Sequence, residues 1–293
     1  MQVYLDTVRE VLSSGTRKPN RTGVDTVSTF NINYEIDLRK GFPLLTTKEI
    51  SWKNIVVENL WFLSGDTHIA LLKKHNCKFW DPWADQDGRV PSAYGNFWRH
   101  FPVVDQEGKA AFNDQIGYVI NELKRNPMSR RLVISAWAPG NAQTSALPPC
   151  HCLYMFNVQM DETGEPMLCL HLTQRSCDVA LGIPYNIAGY SFLIELFSRF
   201  SGIRPGIFAH TLVDAHIYTK KEDGSMAEYD HVPGLEEQLT RTPRVRPKLS
   251  IDSSIQSVED LAPLLEADTE TVMKHFVLSD YNPYPAIKFK VAV

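Results

Sequence analysis

The segment that is most informative about the fold spans residues 174–186 and reads Gln174-Arg175-Ser176-Cys177-Asp178-Val179-Ala180-Leu181-Gly182-Ile183-Pro184-Tyr185-Asn186. An apolar run at residues 168–173 precedes it and predicts a sheet strand. Residues 187–200 are apolar almost throughout and predict a central helix that is buried on most sides. The segment between them mixes charged, polar, glycine and proline residues, which is typical of a polar pocket wall. The alternative is an ordinary strand-to-helix junction in which Asn186 caps the helix.

The rest of the chain also contains both helical and strand patterns. Residues 80–95 are rich in Asp, Pro and Gly and predict a loop. Apolar residues at helical spacing predict helices at residues 2–14, 51–63 and 114–124. Short apolar or alternating runs predict strands at residues 26–38, 132–137, 153–159, 207–218 and 248–251. Because helices and strands interleave without regular βαβ spacing, we predict an α+β fold with a mixed β-sheet packed with helices. Residues 1–293 are expected to form a single domain.

The composition is that of an ordinary globular protein, with 43% hydrophobic and 22% charged residues. A net charge of −4 does not favour DNA or a membrane surface as a partner, and the sequence leaves binding of mRNA open. Neither a signal peptide nor a long apolar run is visible. The odd number of irregularly spaced cysteines indicates a reducing, cytoplasmic setting. Neither zinc-ligand spacing nor a glycine-rich dinucleotide motif occurs, so no residue pattern points to a metal, nicotinamide or flavin.

One cysteine has the neighbours of a reactive thiol. Cys150 lies in Leu147-Pro148-Pro149-Cys150-His151, where two prolines stiffen the backbone before it. A thiol attacks as its thiolate, which neighbouring cations stabilise. A buried structural cysteine is the alternative, since cysteine packs well as a small hydrophobe. Arg21 and the pair Arg130 and Arg131 carry guanidinium groups that bind phosphate with two hydrogen bonds, although each of them could instead lie on a solvated surface.

Taken in order, these segments resemble the thymidylate synthase family over nearly the whole chain. The motifs that carry the resemblance are Arg21-Thr22-Gly23, Gly41-Phe42-Pro43-Leu44-Leu45-Thr46-Thr47-Lys48, Glu58-Asn59-Leu60-Trp61-Phe62-Leu63-Ser64-Gly65, Trp80-Asp81-Pro82-Trp83-Ala84-Asp85, Ser129-Arg130-Arg131, Pro148-Pro149-Cys150-His151, the segment 174–186, Asp214-Ala215-His216-Ile217-Tyr218 and Val291-Ala292-Val293. The resemblance implies methylation of dUMP at C5. The co-substrate would be 5,10-methylenetetrahydrofolate, and the products dTMP and dihydrofolate.

The resemblance also implies a role for each matching residue. Cys150 matches the nucleophile that adds to C6 of uracil. Other positions that match catalytic residues are Glu58, Tyr94, His151, Asp178 and Arg175. Positions that match the dUMP site are Arg21, Arg130, Arg131, Arg175, Ser176, Gln174, Asp178, Asn186, His216 and Tyr218. Positions that match the folate site are Lys48, Phe79, Trp80, Trp83, Leu147, Asp178, Gly182, Tyr185 and Ala292.

Three of these residues carry expectations about charge and hydrogen bonding. Asn186 can accept from N3–H and donate to O4 of uracil, an edge that cytosine reverses, so it favours dUMP. Burial among apolar neighbours should raise the pKa of Glu58, as a proton-transfer group requires. Arg175 is expected to lower the pKa of Cys150 as a neighbouring cation.

The resemblance implies a sheet-to-sheet homodimer in which Arg130 and Arg131 come from the partner subunit. The tail at residues 291–293 is expected to close over both ligands and to hold off water. Residues 220–229 look inserted relative to shorter members of the family. We expect this stretch to project into solvent rather than to lie near the sugar site.

Two other functions remain open from the sequence. A deoxynucleotide 5-hydroxymethylase of the same superfamily would let water capture the methylene intermediate. A non-catalytic nucleotide- or RNA-binding homologue would bind without turnover. Trp80, Asn186 and the tail argue against the first, and the intact catalytic positions argue against the second.

Overall fold

The computed structural model describes residues 1–142, 145 and 147–292. In these residues the α-helices are α1 (Gln2–Ser14), α2 (Trp52–Ser64), α3 (Ala70–Lys74), α4 (Tyr94–Arg99), α5 (Gln115–Arg125), α6 (Gly182–Ser201), α7 (Val232–Leu239), α8 (Ala262–Leu265) and α9 (Thr269–Lys274). The strands are β1 (Thr16–Lys18), β2 (Asp25–Asp37), β3 (Phe101–Val104), β4 (Ala110–Asn113), β5 (Val133–Ser135), β6 (His151–Met160), β7 (Pro166–Gln174), β8 (Cys177–Asp178), β9 (Arg204–Thr219), β10 (Lys248–Ile251) and β11 (Phe276–Ser279).

The main sheet is mixed and packs against helices, as the sequence predicted. Its strand order is β1-β2-β9-β7-β6-β5, and β8 pairs with β9 beside this path. Strand β9 runs parallel to β7 and β8 and antiparallel to β2. Parallel neighbours need a long crossover, and here the chain crosses from β7 to β9 through α6. The ends of β7 and β9 therefore meet at the same edge of the sheet.

Helix α6 lies in the middle of the hydrophobic core, which confirms the prediction of a central buried helix. Phe192 on this helix packs edge-on against Trp52 of α2 and Phe276 of β11, with ring centroids 5.2 Å apart in each pair. Phe197 stacks on Phe156 of β6 at 4.5 Å. A helix that is apolar on all sides is stable only when other elements surround it. The helix ends at Gly202, whose φ of 75° terminates the backbone in the left-handed conformation.

The structure corrects two element bounds, the helix expected from residue 187 and the loop expected at residues 80–95, and it excludes the alternative in which Asn186 caps the helix. Helix α6 begins at Gly182, so Asn186 lies inside the helix and does not cap it. The helix starts early because Pro184 suits its first turn and because the Asp178 carboxylate accepts hydrogen bonds from the preceding backbone. Residues 80–95 are not loop throughout, since α4 begins at Tyr94.

The sheet face opposite α6 is partly open in the described part of the chain. Along β2, Ile32 and Tyr34 are buried whereas the intervening Asn33 and Glu35 are exposed. A hollow of about 600 Å³ on this face is lined by apolar side chains that include Met155 and also by Arg130. None of the described helices is both long and apolar enough to cross a membrane.

Candidate active site

A cavity of about 640 Å³ lies at the edge of the sheet where β7 and β9 end. It collects side chains from distant parts of the sequence, including α2, α4, the start of β6 and the start of α6. Predicted site residues that line it are Arg21, Glu58, Phe79, Trp80, Trp83, Tyr94, Leu147, Cys150, His151, Gln174, Arg175, Ser176, Asp178, Gly182, Asn186, His216, Tyr218 and Ala292. The cavity is therefore our candidate active site.

The remaining predicted site residues do not line this cavity. Arg130 and Arg131 are exposed, and Arg130 faces the hollow on the open side of the sheet. Lys48 is buried, and its ammonium group donates to the carbonyl oxygen of Ala180 at 2.5 Å. Burial lowers the pKa of Lys48 to about 8. Tyr185 packs edge-on against Phe79, which does line the cavity.

The backbone around Cys150 is held from two sides. The amide of Cys150 donates to the Tyr94 hydroxyl at 3.0 Å, and its carbonyl accepts from the Arg175 amide at 2.9 Å. The Arg175 guanidinium donates to the carbonyl oxygens of Pro148 and Pro149 at 2.7 and 2.9 Å. The proline pair and the end of β7 thus hold the thiol at the cavity wall.

Burial and charge act in opposite directions on the thiol. Burial raises the pKa of Cys150. The charge of Arg175, a hydrogen bond from Ser176 and the charge of Arg21 each lower this pKa. Burial prevails, so the pKa lies above the ordinary thiol value. Arg175 lowers the pKa of Cys150, as predicted, but its effect is smaller than that of burial. The thiol is consequently protonated at neutral pH.

A carboxyl group with a raised pKa lies on the wall formed by α2. Burial raises the pKa of Glu58 to about 7, and the hydrogen bond from Trp80 opposes this shift. The Trp80 indole N–H donates to Glu58 Oε1 at 2.8 Å. The direction of the shift is the one that the apolar neighbours of Glu58 in the sequence predicted. A group with a pKa near 7 can both donate and accept a proton at physiological pH.

The imidazole beside the thiol is neutral. Burial lowers the pKa of His151 to about 3, and a hydrogen bond with Asn186 opposes that shift. The His151 ring stacks on Tyr94 with the ring centroids 4.6 Å apart. Burial also raises the pKa of Tyr94 well above its usual value. Both rings therefore serve as neutral hydrogen-bonding groups.

A buried hydrogen-bond chain fixes the amide of Asn186. Gln174 Nε2 donates to the carbonyl of Ser176 at 3.0 Å and to Asn186 Oδ1 at 3.1 Å. Gln174 Oε1 must then accept from His210 Nε2, 3.0 Å away. Burial holds the pKa of His210 well below its usual range, so this imidazole is neutral and its Nδ1 accepts from the Tyr34 hydroxyl at 2.7 Å. Sequence reasoning missed His210 and Tyr34, because no local pattern links them to Asn186.

A second polar wall surrounds His216 and Tyr218. His216 Nδ1 lies 3.2 Å from Asp214 Oδ1, and the His216 and Tyr218 rings lie 5.3 Å apart. Asp214 also accepts from Lys18 and from the Ser28 hydroxyl. Hydrogen bonds from His216, Lys18 and Ser28 to the Asp214 carboxylate hold the pKa of Asp214 well below its usual range. The sequence analysis did not assign Lys18 or Asp214 to the site, although both line the cavity.

The third wall is aromatic. Phe79, Trp80 and Trp83 line it, and Trp80 packs against the rings of Phe62 and Tyr94 at 5.8 Å. Across the cavity, Asp178 Oδ1 accepts from the amides of Ala180 and Leu181 at 2.9 and 3.0 Å. The other carboxylate oxygen makes no hydrogen bond with the described residues. Ala292 also lines the cavity, whereas the last residue of the tail, Val293, lies outside the described residues.

The described residues contain no group of three or more His, Cys, Asp or Glu side chains that could hold a metal ion. The cavity instead combines a thiol, guanidinium groups and a flat aromatic wall. These features define a group-transfer enzyme for planar, anionic substrates.

Comparison with known proteins identifies the family within this class. The family model described as thymidylate synthase matches residues 2–293. The chain is also 40% identical to the thymidylate synthase of Haloferax volcanii over 344 aligned positions, which cover 98% of this chain and 95% of the relative. The chain belongs to the thymidylate synthase family, and it is a methyltransferase.

We predict that Trp80→Phe raises the pKa of Glu58 further. The indole N–H stabilises the ionised carboxylate, so its removal favours the protonated form by about one pKa unit. Difference infrared spectra of each protein against its Glu58→Gln counterpart isolate the carboxyl band, whose titration midpoint should be about 7 without the Trp80 substitution. Trp83→Phe serves as the control, because the described hydrogen bond to Glu58 comes from Trp80. A midpoint that is unchanged or lower in Trp80→Phe would contradict this account.

Proposed function

We propose that this protein converts dUMP and 5,10-methylenetetrahydrofolate to dTMP and dihydrofolate, with Cys150 as a covalent nucleophile. The observation that carries the proposal is the convergence of Cys150, Asn186 and Arg175 on one cavity. They supply a sulfur nucleophile, a base-reading amide and a cation for the phosphate. These are the three functions that covalent chemistry on a nucleotide requires.

The nucleotide is held by cations at one end and an amide at the other. We assign Arg21, Arg175 and Ser176 to the phosphate; Arg175 uses only part of its donor capacity on the proline carbonyls. Since Gln174 donates to Asn186 Oδ1, the Asn186 NH₂ group is free to donate to uracil O4. We assign Asn186 Oδ1 as the acceptor for N3–H. His216 and Tyr218 are assigned to the sugar 3′-hydroxyl.

The Cys150 thiol first loses its proton to solvent, and the thiolate then adds its sulfur to C6 of the uracil ring. This addition makes C5 an enolate carbon, which can attack the one-carbon unit. Glu58, with its pKa near 7, exchanges protons around the pyrimidine. The Tyr94 hydroxyl oxygen accepts hydrogen bonds from the amides of Cys150 and His151. The hydroxyl can therefore use its own proton to donate into the cavity. We propose that Tyr94 and His151 assist the removal of the C5 proton. Once the C5 proton is gone, the bond between the methylene carbon and the folate nitrogen breaks. Hydride from the same folate then reduces the methylene group as the sulfur leaves C6, which gives dTMP and dihydrofolate.

The aromatic wall fits a reduced folate. The folate supplies both the one-carbon unit and the hydride. Trp80 and Trp83 present flat apolar surfaces to a pterin, and the unbonded oxygen of Asp178 can accept from its ring nitrogens. Leu147 and Gly182 complete this part of the wall, beside Phe79 and Tyr185. Exclusion of water by these side chains favours hydride transfer over hydration. The roles of Ala292 at this wall and of Lys48 near the folate glutamate stay predictions.

The open face of the sheet supports the proposal of a homodimer. Its hollow combines apolar side chains such as Met155 and Ile207 with Arg130 at the margin. Arg130 and Arg131 do not line the cavity of their own chain, although they match phosphate ligands of the family. A second subunit packed face to face would cover the apolar side chains. We propose that it also places its arginine pair beside the phosphate of the first subunit.

We expect Cys150→Ala to abolish product formation, because the described residues that line the cavity include no other thiol that could bond to C6. The measurement is the absorbance of dihydrofolate during incubation with dUMP and 5,10-methylenetetrahydrofolate. Retention of dUMP binding by the variant is the control for folding. Activity like that of the unsubstituted protein in Cys150→Ala would overturn the mechanism. If the unsubstituted protein turns over dUMP without forming dihydrofolate, it is a hydroxymethylase; binding without turnover would identify a non-catalytic homologue.

Asn186→Asp should shift binding from dUMP towards dCMP. A protonated carboxyl can donate to N3 of cytosine while its other oxygen accepts from the C4 amine. We expect a change in relative affinity of at least about tenfold, measured by calorimetry with both nucleotides. Asn186→Ala is the matched control, since it removes both hydrogen bonds without favouring cytosine. An unchanged preference in Asn186→Asp would place base specificity elsewhere.

Mixing two inactive variants should restore activity if subunits share arginines. One variant carries Cys150→Ala, and the other carries Arg130→Ala with Arg131→Ala. Random subunit exchange gives hybrids with one intact site, so activity should recover to about a quarter of the unsubstituted level. Mixing Cys150→Ala with Cys150→Ser is the control and should recover nothing. Mass spectrometry verifies that hybrid dimers have formed. If hybrids are present and no activity returns, the shared site is rejected.

A further inference from the structure

The chain between β9 and α7 lies against the C-terminal tail, which we define as residues 287–292. His231 Nε2 donates to the carbonyl oxygen of Lys290 at 2.8 Å, and the His231 ring lies 5.0 Å from that of Phe289. A side chain at Gly234 would meet Phe289 at 2.6 Å, so only glycine permits this approach without a shift. The tail is therefore closely fitted to this surface.

A charged contact continues the same interface. The Lys290 ammonium lies 4.2 Å from the centroid of the Tyr229 ring and 3.4 Å from Glu228 Oε1. These two residues belong to the stretch at 220–229 that we expected to project into solvent. Residues 222–225 at its tip are exposed, but Glu228 and Tyr229 contact the tail. The stretch therefore has a specific neighbour.

The same surface connects the tail to the cavity. The His231 amide donates to the carbonyl oxygen of Tyr218 at 3.0 Å, and Tyr218 lines the cavity. Ala292, two residues beyond Lys290, lines the cavity too. Displacement of the tail backbone at Lys290 would consequently move Ala292 and with it a part of the cavity wall.

We propose that Lys290 is a positioning residue, held by Glu228 and Tyr229 so that the tail forms one side of the cavity. The side chain of Lys290 is half-exposed, so the contact is weak enough to open for substrate entry and product release. A cation over an aromatic ring is preferred to the same cation in water. The 220–229 stretch thus controls how long the tail stays in place.

The first test measures the position of the tail without any enzyme assay. Carboxypeptidase removes C-terminal residues only from detached tails, so the rate of release reports how often the tail is free. Tyr229→Leu removes the ring but leaves the tail sequence unchanged, and we expect release to become about three- to fivefold faster. Tyr229→Phe keeps the ring face and should stay within about twofold of the unsubstituted protein.

Substitutions in the tail provide the second arm. Lys290→Met should accelerate release as Tyr229→Leu does. Lys290→Arg should release at the slow rate of the unsubstituted protein, because arginine keeps the charge and the ring contact. Lys288→Met is the matched control, since Lys288 is exposed and makes no ion pair with the described residues. Each rate is divided by that of a free peptide with the same tail sequence. The double variant Tyr229→Leu with Lys290→Met should release no faster than Lys290→Met alone. Equal rates in all variants, or additive effects in the double variant, would overturn the proposal.

A kinetic test deepens the inference and rests on the proposed function. If the tail forms the folate side of the cavity, Tyr229→Leu should raise KM for 5,10-methylenetetrahydrofolate about threefold, with a smaller change in KM for dUMP. Faster tail release without this change would separate the tail contact from folate binding. Absence of turnover in the unsubstituted protein would refute the proposed function and leave the carboxypeptidase result standing. Equal rises in both KM values would show that the contact acts on the whole site.

Discussion

The parallel pairing of β7 with β9 is the constraint on which the rest of the structure depends. Parallel neighbours require a crossover, and the apolar helix α6 supplies it because its side chains must be enclosed on all sides. The pairing brings the end of β7 beside the end of β9. Gln174 and Arg175 thereby come to face His216 and Tyr218 across one cavity. The first turns of α6 add Gly182 and Asn186 to the same space.

Burial in this cavity has one electrostatic consequence for its titratable groups. It raises the pKa of Cys150 and of Glu58 and lowers the pKa of His151, so each group is shifted towards its neutral form. Guanidinium groups are always charged in proteins, and the cavity contains those of Arg21 and Arg175. The cavity is therefore suited to an anionic ligand. A nucleotide phosphate can bind there without repulsion from Cys150 or Glu58, and the ionised Asp214 is paired with Lys18.

Two sets of contacts give the cavity its shape. The buried chain from Tyr34 through His210 to Gln174 fixes which atom of the Asn186 amide is free. Such a network specifies one orientation of the Asn186 amide, because each residue of the chain is hydrogen-bonded to the next. The tail contact at Lys290 is of the opposite kind, exposed and weak. Base recognition thus rests on a rigid part of the protein, whereas the wall beside Ala292 rests on a part that can open.

The sequence by itself determined the element types, the family and most of the candidate site. Periodicity and turn residues are local, so α1, α5 and the buried α6 could be predicted within a few residues. Ordered motifs identified many of the residues that line the cavity, from Arg21 to Ala292, but they did not assign Lys18 or Asp214 to it. Only the tertiary structure decided that Asn186 lies within α6, that Lys18 pairs with Asp214, and that Glu228 and Tyr229 contact the tail. It also decided that burial outweighs Arg175 at the thiol. The physical reason is that these outcomes depend on desolvation and on contacts between residues far apart in the sequence, which no local pattern encodes.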